Sequence, residues 1–235
     1  TLADLDLDYI QQQYLPRAVA QEILQMNTRS LEEQLQSLRL LLHGTPTWGA
    51  LIAFGRDPQA WVPGSYVQFL RLDGPEITDP IRDQKTLTGR LEDILRRLDE
   101  LLEINISVRT RIGTGVEERF PDYPIVALQQ FTRNALMHRT YEGTNSPVRV
   151  HWFSDRVEIH SPGGLFGQVN EENFGKGQTD YRNPLLAEIL RNLGFAQRFG
   201  IGIPLALREL RKNGNPEPEF LFQPTQVSVI VRARP

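Results

Sequence analysis

The chain has 235 residues, 40% of them hydrophobic, and a formal net charge of -3. That suffices to bury one large core or two smaller ones. With no cysteine, disulfide frameworks, thiolate zinc sites and cysteine nucleophiles are excluded, and the four histidines are too scattered along the chain to suggest a metal cluster.

No run approaches the roughly 18 to 20 apolar residues that span a bilayer, and the first residues, TLADLDLDYI, are acidic rather than signal-like. The expectation is a cytoplasmic protein with no membrane partner. A first residue other than Met points to a piece of a longer protein, and the acidic balance argues against nucleic acid as this piece's main partner.

In chain order, Asp6 to Gln25 reads as largely helical with a break or restart at Pro16. Ser30 to Leu42 reads as a helix opened by Ser30 and Glu33 in capping-box spacing. WGALIAFG and SYVQFLRLDG are β-like apolar runs separated by the turn-rich loop RDPQAWVPG. A long helix follows, because Leu87, Leu91, Ile94, Leu95, Leu98, Leu101 and Leu102 recur at three- and four-residue steps. Packing accounts for that stripe. SVRTRIG then reads as a strand and FPDYP as a link, with a domain boundary near Glu118.

The second half predicts a helix at ALQQFTRNALMHRTY and a hairpin in which Val148, Val150 and Trp152 answer Val157 and Ile159 across an SD turn. The glycine segment SPGGLFG and a polar loop through GKGQTD come next. Asn183 and Pro184 open a helix that Gly194 stops, RFGIGIPLALRELRKNG holds another helix behind Gly200 and Gly202, and VSVIVRA closes as a strand.

On the quoted helix Leu128, Phe131 and Ala135 share a core face. Gln130, Asn134 and His138 follow at four-residue steps beside it. Two amides and an imidazole at a core edge suit a ligand groove, or equally a locally satisfied helix edge. The G-x-G of GIGIP before a helix suits a phosphate cradle or simple tight packing. There is no G-x-x-x-x-G-K-[ST] motif, so a P-loop motor is absent from this chain; GKGQTD has no Ser or Thr after Lys176.

The order of these segments is more specific than any one of them. NALMHRTY, EIHSPGGL, RNPLLAEIL and GIGIP resemble, in sequence and order, the ATP-binding domain of RecG-like and Schlafen AlbA-associated bacterial regulators. That group lies within the gyrase, heat-shock chaperone, histidine kinase and MutL (GHKL) superfamily. PTWGALIAFGRDPQAWVPGSYVQF resembles the segment preceding the domain in such proteins, whose AlbA-like domain is expected upstream of residue 1.

The resemblance implies an α/β fold: a Bergerat-type sandwich over residues 119–235, preceded by a smaller α/β segment over residues 1–118. It places Asn134 on the Mg²⁺ that bridges the nucleotide phosphates, and an amide oxygen is a suitable hard ligand. The hydrolytic members' water-activating glutamate is replaced by Gln130, which orients water but cannot take its proton. The aspartate that accepts the adenine amino group is replaced by Ser161, ahead of Gly163 and Gly164. Gly200 and Gly202 match the phosphate-cradling box, with Lys176 and Arg182 either reaching the phosphates or serving as solvated loop charges. His138 and Arg139 belong to the motif, with packing or loop anchoring as natural as nucleotide contact.

The implied function is an ATP-binding switch module of a transcriptional regulator, holding Mg-ATP with slow or no hydrolysis. It would act as a homodimer and reach DNA through a domain outside this chain. Two alternatives stay open: an active ATPase drawing a carboxylate from Glu171, Glu172 or Asp180, and a degenerate dimerisation scaffold.

Overall fold

The computed structural model describes residues 1–112, 117–196 and 200–235. Gly113 of the expected strand, and Arg198 and Phe199 at the head of the second glycine segment, lie outside these residues. The chain is a mixed α/β structure, with a six-stranded sheet flanked by helices.

The N-terminal third is mostly short helices: α1 (Leu7–Tyr9), α2 (Leu15–Ala18), α3 (Gln21–Gln25), α4 (Leu31–Ser37), α5 (Trp48–Phe54) and α6 (Pro58–Trp61). One wide π turn, Ile10–Tyr14, joins α1 to α2 and leads into Pro16 near the start of α2. The ring therefore sits where no helical N–H is required, and the helix breaks after Ala18 instead of at the proline. The capping box forms, with the Ser30 amide donating to Glu33 Oε2 at 2.7 Å and the Glu33 amide donating to Ser30 Oγ at 3.3 Å. This helix stops at Ser37, because Leu41–Leu42 and Thr45–Pro46 form the two-residue strands β1 and β2.

WGALIAFG is helical rather than extended. Residues 50–54 are all buried, and a helix buried on nearly every side shows no alternation by which to tell it from a strand. Thr47 Oγ1 caps it by accepting the Ala50 amide at 3.3 Å.

Strands β3 (Val67–Leu72) and β4 (Ile81–Leu87) pair antiparallel, so Leu87 ends a strand and the long helix α7 starts only at Leu91 and runs to Asn105. Leu91, Ile94, Leu95, Leu98 and Leu102 of its stripe are buried and Leu101 is half-buried, and each fully buried side chain contributes roughly 1.5–3 kcal/mol. Strands β5 (Val108–Ile112) and β6 (Glu117–Pro121) form a separate ribbon and lead to helix α8 (Ile125–His138). The main sheet continues through β7 (Val148–Trp152), β8 (Arg156–Pro162), β9 (Glu219–Gln223) and β10 (Gln226–Arg232), in the order β4-β3-β7-β8-β10-β9. All neighbours are antiparallel except β3 and β7, which run parallel. Strands from both sides of Glu118 thus share one sheet. Helices α9 (Pro184–Asn192) and α10 (Gly202–Asn213) complete the helical layer with α7 and α8.

Arg139 ends α8 as a fully buried cation. It donates to three carbonyls: from Nε to Thr140 at 3.0 Å, from Nη2 to Ser146 at 2.9 Å, and from Nη1 to Gly64. The guanidinium also lies over the Tyr141 ring at 4.4 Å. Its role is to anchor the loop between α8 and β7 onto the turn before β3. Replacing it by Met leaves these acceptors unpaired, so urea unfolding of Arg139→Met should show a loss of about 3 kcal/mol.

Candidate functional site

One pocket opens between α8, the start of α10, strands β8 and β10 and the segment 165–181. It gathers Gln130, Asn134, Ser161, Gly163, Gly164, Gly200 and Gly202 from three separate parts of the chain. Lys176 is exposed and does not line it. Arg182 stands behind the wall, where its Nη2 donates to the Gly164 carbonyl at 3.1 Å and its guanidinium lies over Phe166 at 4.7 Å.

Ser161 is buried at the end of β8, and its hydroxyl donates to the Ala135 carbonyl of α8 at 2.9 Å. With its only proton committed to the helix, Oγ presents lone pairs to the pocket and acts there as an acceptor. The neighbouring glycines have a different task. The Gly163 amide donates to Thr225 O at 2.8 Å and the Gly164 amide to Pro224 O at 3.1 Å, so neither N–H is free for a ligand. Gly163 has a φ of 97°, and a Cβ on Gly164 would stand 2.8 Å from two backbone oxygens. Both residues are there because the turn has no room for a side chain.

At the other end, α10 begins at Gly202, and helix geometry leaves the amides of Gly202 and Ile203 without intrahelical acceptors while Pro204 has none to offer. Both residues line the pocket, so a helix N-terminus with its partial positive charge faces the cavity. A Cβ on Gly202 would lie 2.8 Å from Gln130 Oε1, which packs the Gln130 amide against this helix start. Gly200 has a φ of 64°, and a Cβ there would overlap the Thr179 methyl.

The segment 165–181 covers the cavity with Phe166, Val169, Phe174, Gln178, Thr179, Asp180 and Tyr181. Phe174 packs on Phe220 and Phe222 at 5.1 and 5.0 Å between ring centres. Glu171 and Glu172 point to solvent, outside the lining. Asp180 does line the pocket, yet its oxygens accept from the Tyr181 amide at 2.8 Å and the Gln168 amide at 3.2 Å. Asn183 does not cap its own helix. Its amide donates instead to Met137 O at 2.9 Å and Arg139 O at 2.8 Å, tying α9 to the end of α8.

His138 stacks on Tyr181 with ring centres 5.4 Å apart, a contact the sequence does not announce. Burial, assisted by the Arg182 charge and opposed by Asp180, pushes its pKa down from 6.5 to about 4. The site therefore holds a neutral imidazole at neutral pH.

These residues can be set beside known proteins. Residues 145–231 match the family model described as "Putative ATP-dependent DNA helicase recG C-terminal". This stretch thus resembles a RecG-related ATPase-type domain. It includes β7, β8, Ser161, both glycine segments and the covering loop, but not α8 with Gln130 and Asn134. Among solved structures, the DIP2311 protein of Corynebacterium diphtheriae superposes over 100% of this chain with a TM-score of 0.74 and 19% identity. The chain spans 46% of that protein's length, and at this identity the likeness concerns the fold. No curated protein matches the sequence.

The unfolded chain protonates His138 below about pH 6.5 and the folded chain only below about pH 4. Stability is therefore full above pH 6.5 and falls as the pH drops through that window, by at most about 1.4 kcal/mol per pH unit from this group. His138→Gln should flatten the measured slope between pH 6.5 and 4.

Proposed function

We propose that the chain is an ATP-binding switch module of a bacterial transcriptional regulator, with a Bergerat-type (GHKL) nucleotide site. The observation that carries this reading is the pocket itself: it gathers the acceptor hydroxyl of Ser161, the helix-start amides of α10 and the Asn134 amide beneath a 17-residue covering segment, Leu165 to Tyr181. The match of residues 145–231 to the RecG-related model supports nucleotide as the ligand.

The donor and acceptor set fits Mg-ATP. Ser161 Oγ accepts from the exocyclic amino group of adenine, and Phe131, Ile159, Val227 and Val229 supply apolar walls. The amides of Gly202 and Ile203 face phosphate oxygens. The Asn134 carboxamide oxygen serves the Mg²⁺, whose contribution is to neutralise phosphate charge.

Turnover is slow or absent in this reading. Gln130 stands where hydrolytic relatives of the superfamily carry a carboxylate, and the lost base is worth about 10²- to 10⁴-fold. The alternative of a carboxylate borrowed from the covering loop has little geometric support. Glu171 and Glu172 face solvent, and both Asp180 oxygens hold backbone amides. Ordering of residues 165–181 by the nucleotide is the switch, read by a DNA-binding domain outside this chain and by a second copy in a cytoplasmic homodimer.

Isothermal titration tests the reading. ATP with Mg²⁺ should bind to the wild type, outcompete GTP, and lose at least about tenfold in affinity in Asn134→Ala, a change of about 1.4 kcal/mol. Absence of binding at millimolar ATP in folded protein would leave the scaffold reading. Restoring the carboxylate in Gln130→Glu should raise phosphate release above the wild-type rate, by up to about 10²-fold.

A further inference from the structure

The alternation of β8 that sends Ile159 and Ser161 into the pocket sends Glu158 and His160 to the opposite face of the sheet. There the register sets His151 of β7 directly opposite Glu158, and Ser228 of β10 directly opposite His160. Two of the four histidines that look scattered in the sequence, His151 and His160, therefore converge. Donor atoms of His151, Glu158 and His160 all lie within 4.8 Å of one another.

We propose that His151, Glu158 and His160 form a binding site for a divalent transition metal of the zinc class, on the sheet face away from the nucleotide pocket and independent of it. Spacing is the first support. His160 Nε2 and Glu158 Oε2 stand 3.2 Å apart. Two donors at 2.0–2.1 Å from a tetrahedral ion stand about 3.3 Å apart, so the pair spans the ion with almost no movement.

Preorganisation is the second support. Glu158 Oε1 accepts from Arg156 Nε at 2.6 Å, which fixes the carboxylate and leaves Oε2 aimed at the histidines. His160 Nδ1 lies 2.8 Å from Ser228 Oγ, which in turn accepts from Gln226 Nε2 at 2.9 Å. Such an outer partner fixes the ring and the nitrogen offered to the metal. The ring's single proton moves from Nε2 to Nδ1 on binding, Nδ1–H then donates to Ser228 Oγ, and no net proton is released.

Donor chemistry sets the class of ion. Two nitrogens and one oxygen suit Zn²⁺, Co²⁺ or Ni²⁺, while Mg²⁺ and Ca²⁺ require oxygen cages. Arg149 and Arg156 flank the cluster, and their charge opposes any ion held by electrostatics alone. Burial lowers the pKa of both histidines, in keeping with neutral, ligand-ready rings. Three protein donors on a partly exposed sheet face leave a fourth position for water.

The test titrates the whole chain with Zn²⁺, and with Co²⁺ read by its visible ligand-field spectrum. The expected result is one ion per chain, not displaced by excess Mg²⁺, and bound about 100-fold or more weakly in His151→Ala and in His160→Ala. Ser228→Ala should weaken binding about tenfold and His43→Ala not at all. If either histidine variant misfolds, Glu158→Gln, which preserves shape and hydrogen bonding, should show the same weakening. In the wild type, the ¹⁵N shifts of His151 and His160, and not those of His43 or His138, should report coordination. No saturable Zn²⁺ or Co²⁺ binding by folded wild type would overturn the proposal, as would binding that survives the histidine and Glu158 substitutions.

Discussion

The seat of α8 on strand β8 is the contact on which the rest depends. Leu128, Phe131 and Ala135 turn inward onto the sheet, where Val150, Val157 and Ile159 meet them, and all six are buried. Ser161 adds one directional bond to this apolar contact, from its hydroxyl to the Ala135 carbonyl. A single hydrogen bond of this kind contributes only about 1 kcal/mol net. Its weight lies in position: it fixes the register of helix on strand at the point where the chain turns into Gly163. A slip of one residue in β8 would exchange its two faces, moving Ile159 out of the core and Glu158 into it.

From that seat the site is assembled by ties that are mostly polar and local. Asn183 clasps the carbonyls at the end of α8, Arg139 clasps the loop beyond it, and Arg182 braces Gly164 from behind. The pocket's walls are thus held by groups that do not themselves line it. In the proposed nucleotide site a rigid wall matters, because a ligand would have to meet Oγ of Ser161 and the amides of α10 at once, and freezing loose walls on binding would subtract from affinity. The covering segment contrasts with this. Asn170, Asn173 and Asp180 bond within it, while Phe174 and Tyr181 supply its aromatic contacts to the body. Such a segment can keep its own shape while its attachment changes.

What the sequence disclosed follows from where side chains meet water. Helix α7 and the β7–β8 hairpin face core on one side and solvent on the other, so periods of 3.6 and 2 are written in their residues. Helix α5 has little outer face and reads as a strand. Strand β4 is a sheet edge whose residues are mostly exposed, with Leu87 its only buried one, so IRDQKTL carries no alternation at all. The parallel pairing of β3 with β7 joins residues some 80 positions apart in the chain, and no local pattern encodes it.

The same distinction applies to function. Gln130 and Asn134 are one helical turn apart, and their common edge is legible from spacing. Ser161's commitment to Ala135, the stacking of Tyr181 on His138 and the spent amides of Gly163 and Gly164 depend on partners brought by the fold. The histidines are the sharper case. His151 and Glu158 are seven positions apart, about 10 Å along one face of a helix and too far to share an ion there, yet a hairpin turning at Ser154 and Asp155 sets them face to face. One strand thereby carries the residues of both proposed sites. Ile159 and Ser161 wall the pocket, Glu158 and His160 present a carboxylate and an imidazole on the opposite face, and the pleat keeps the two apart.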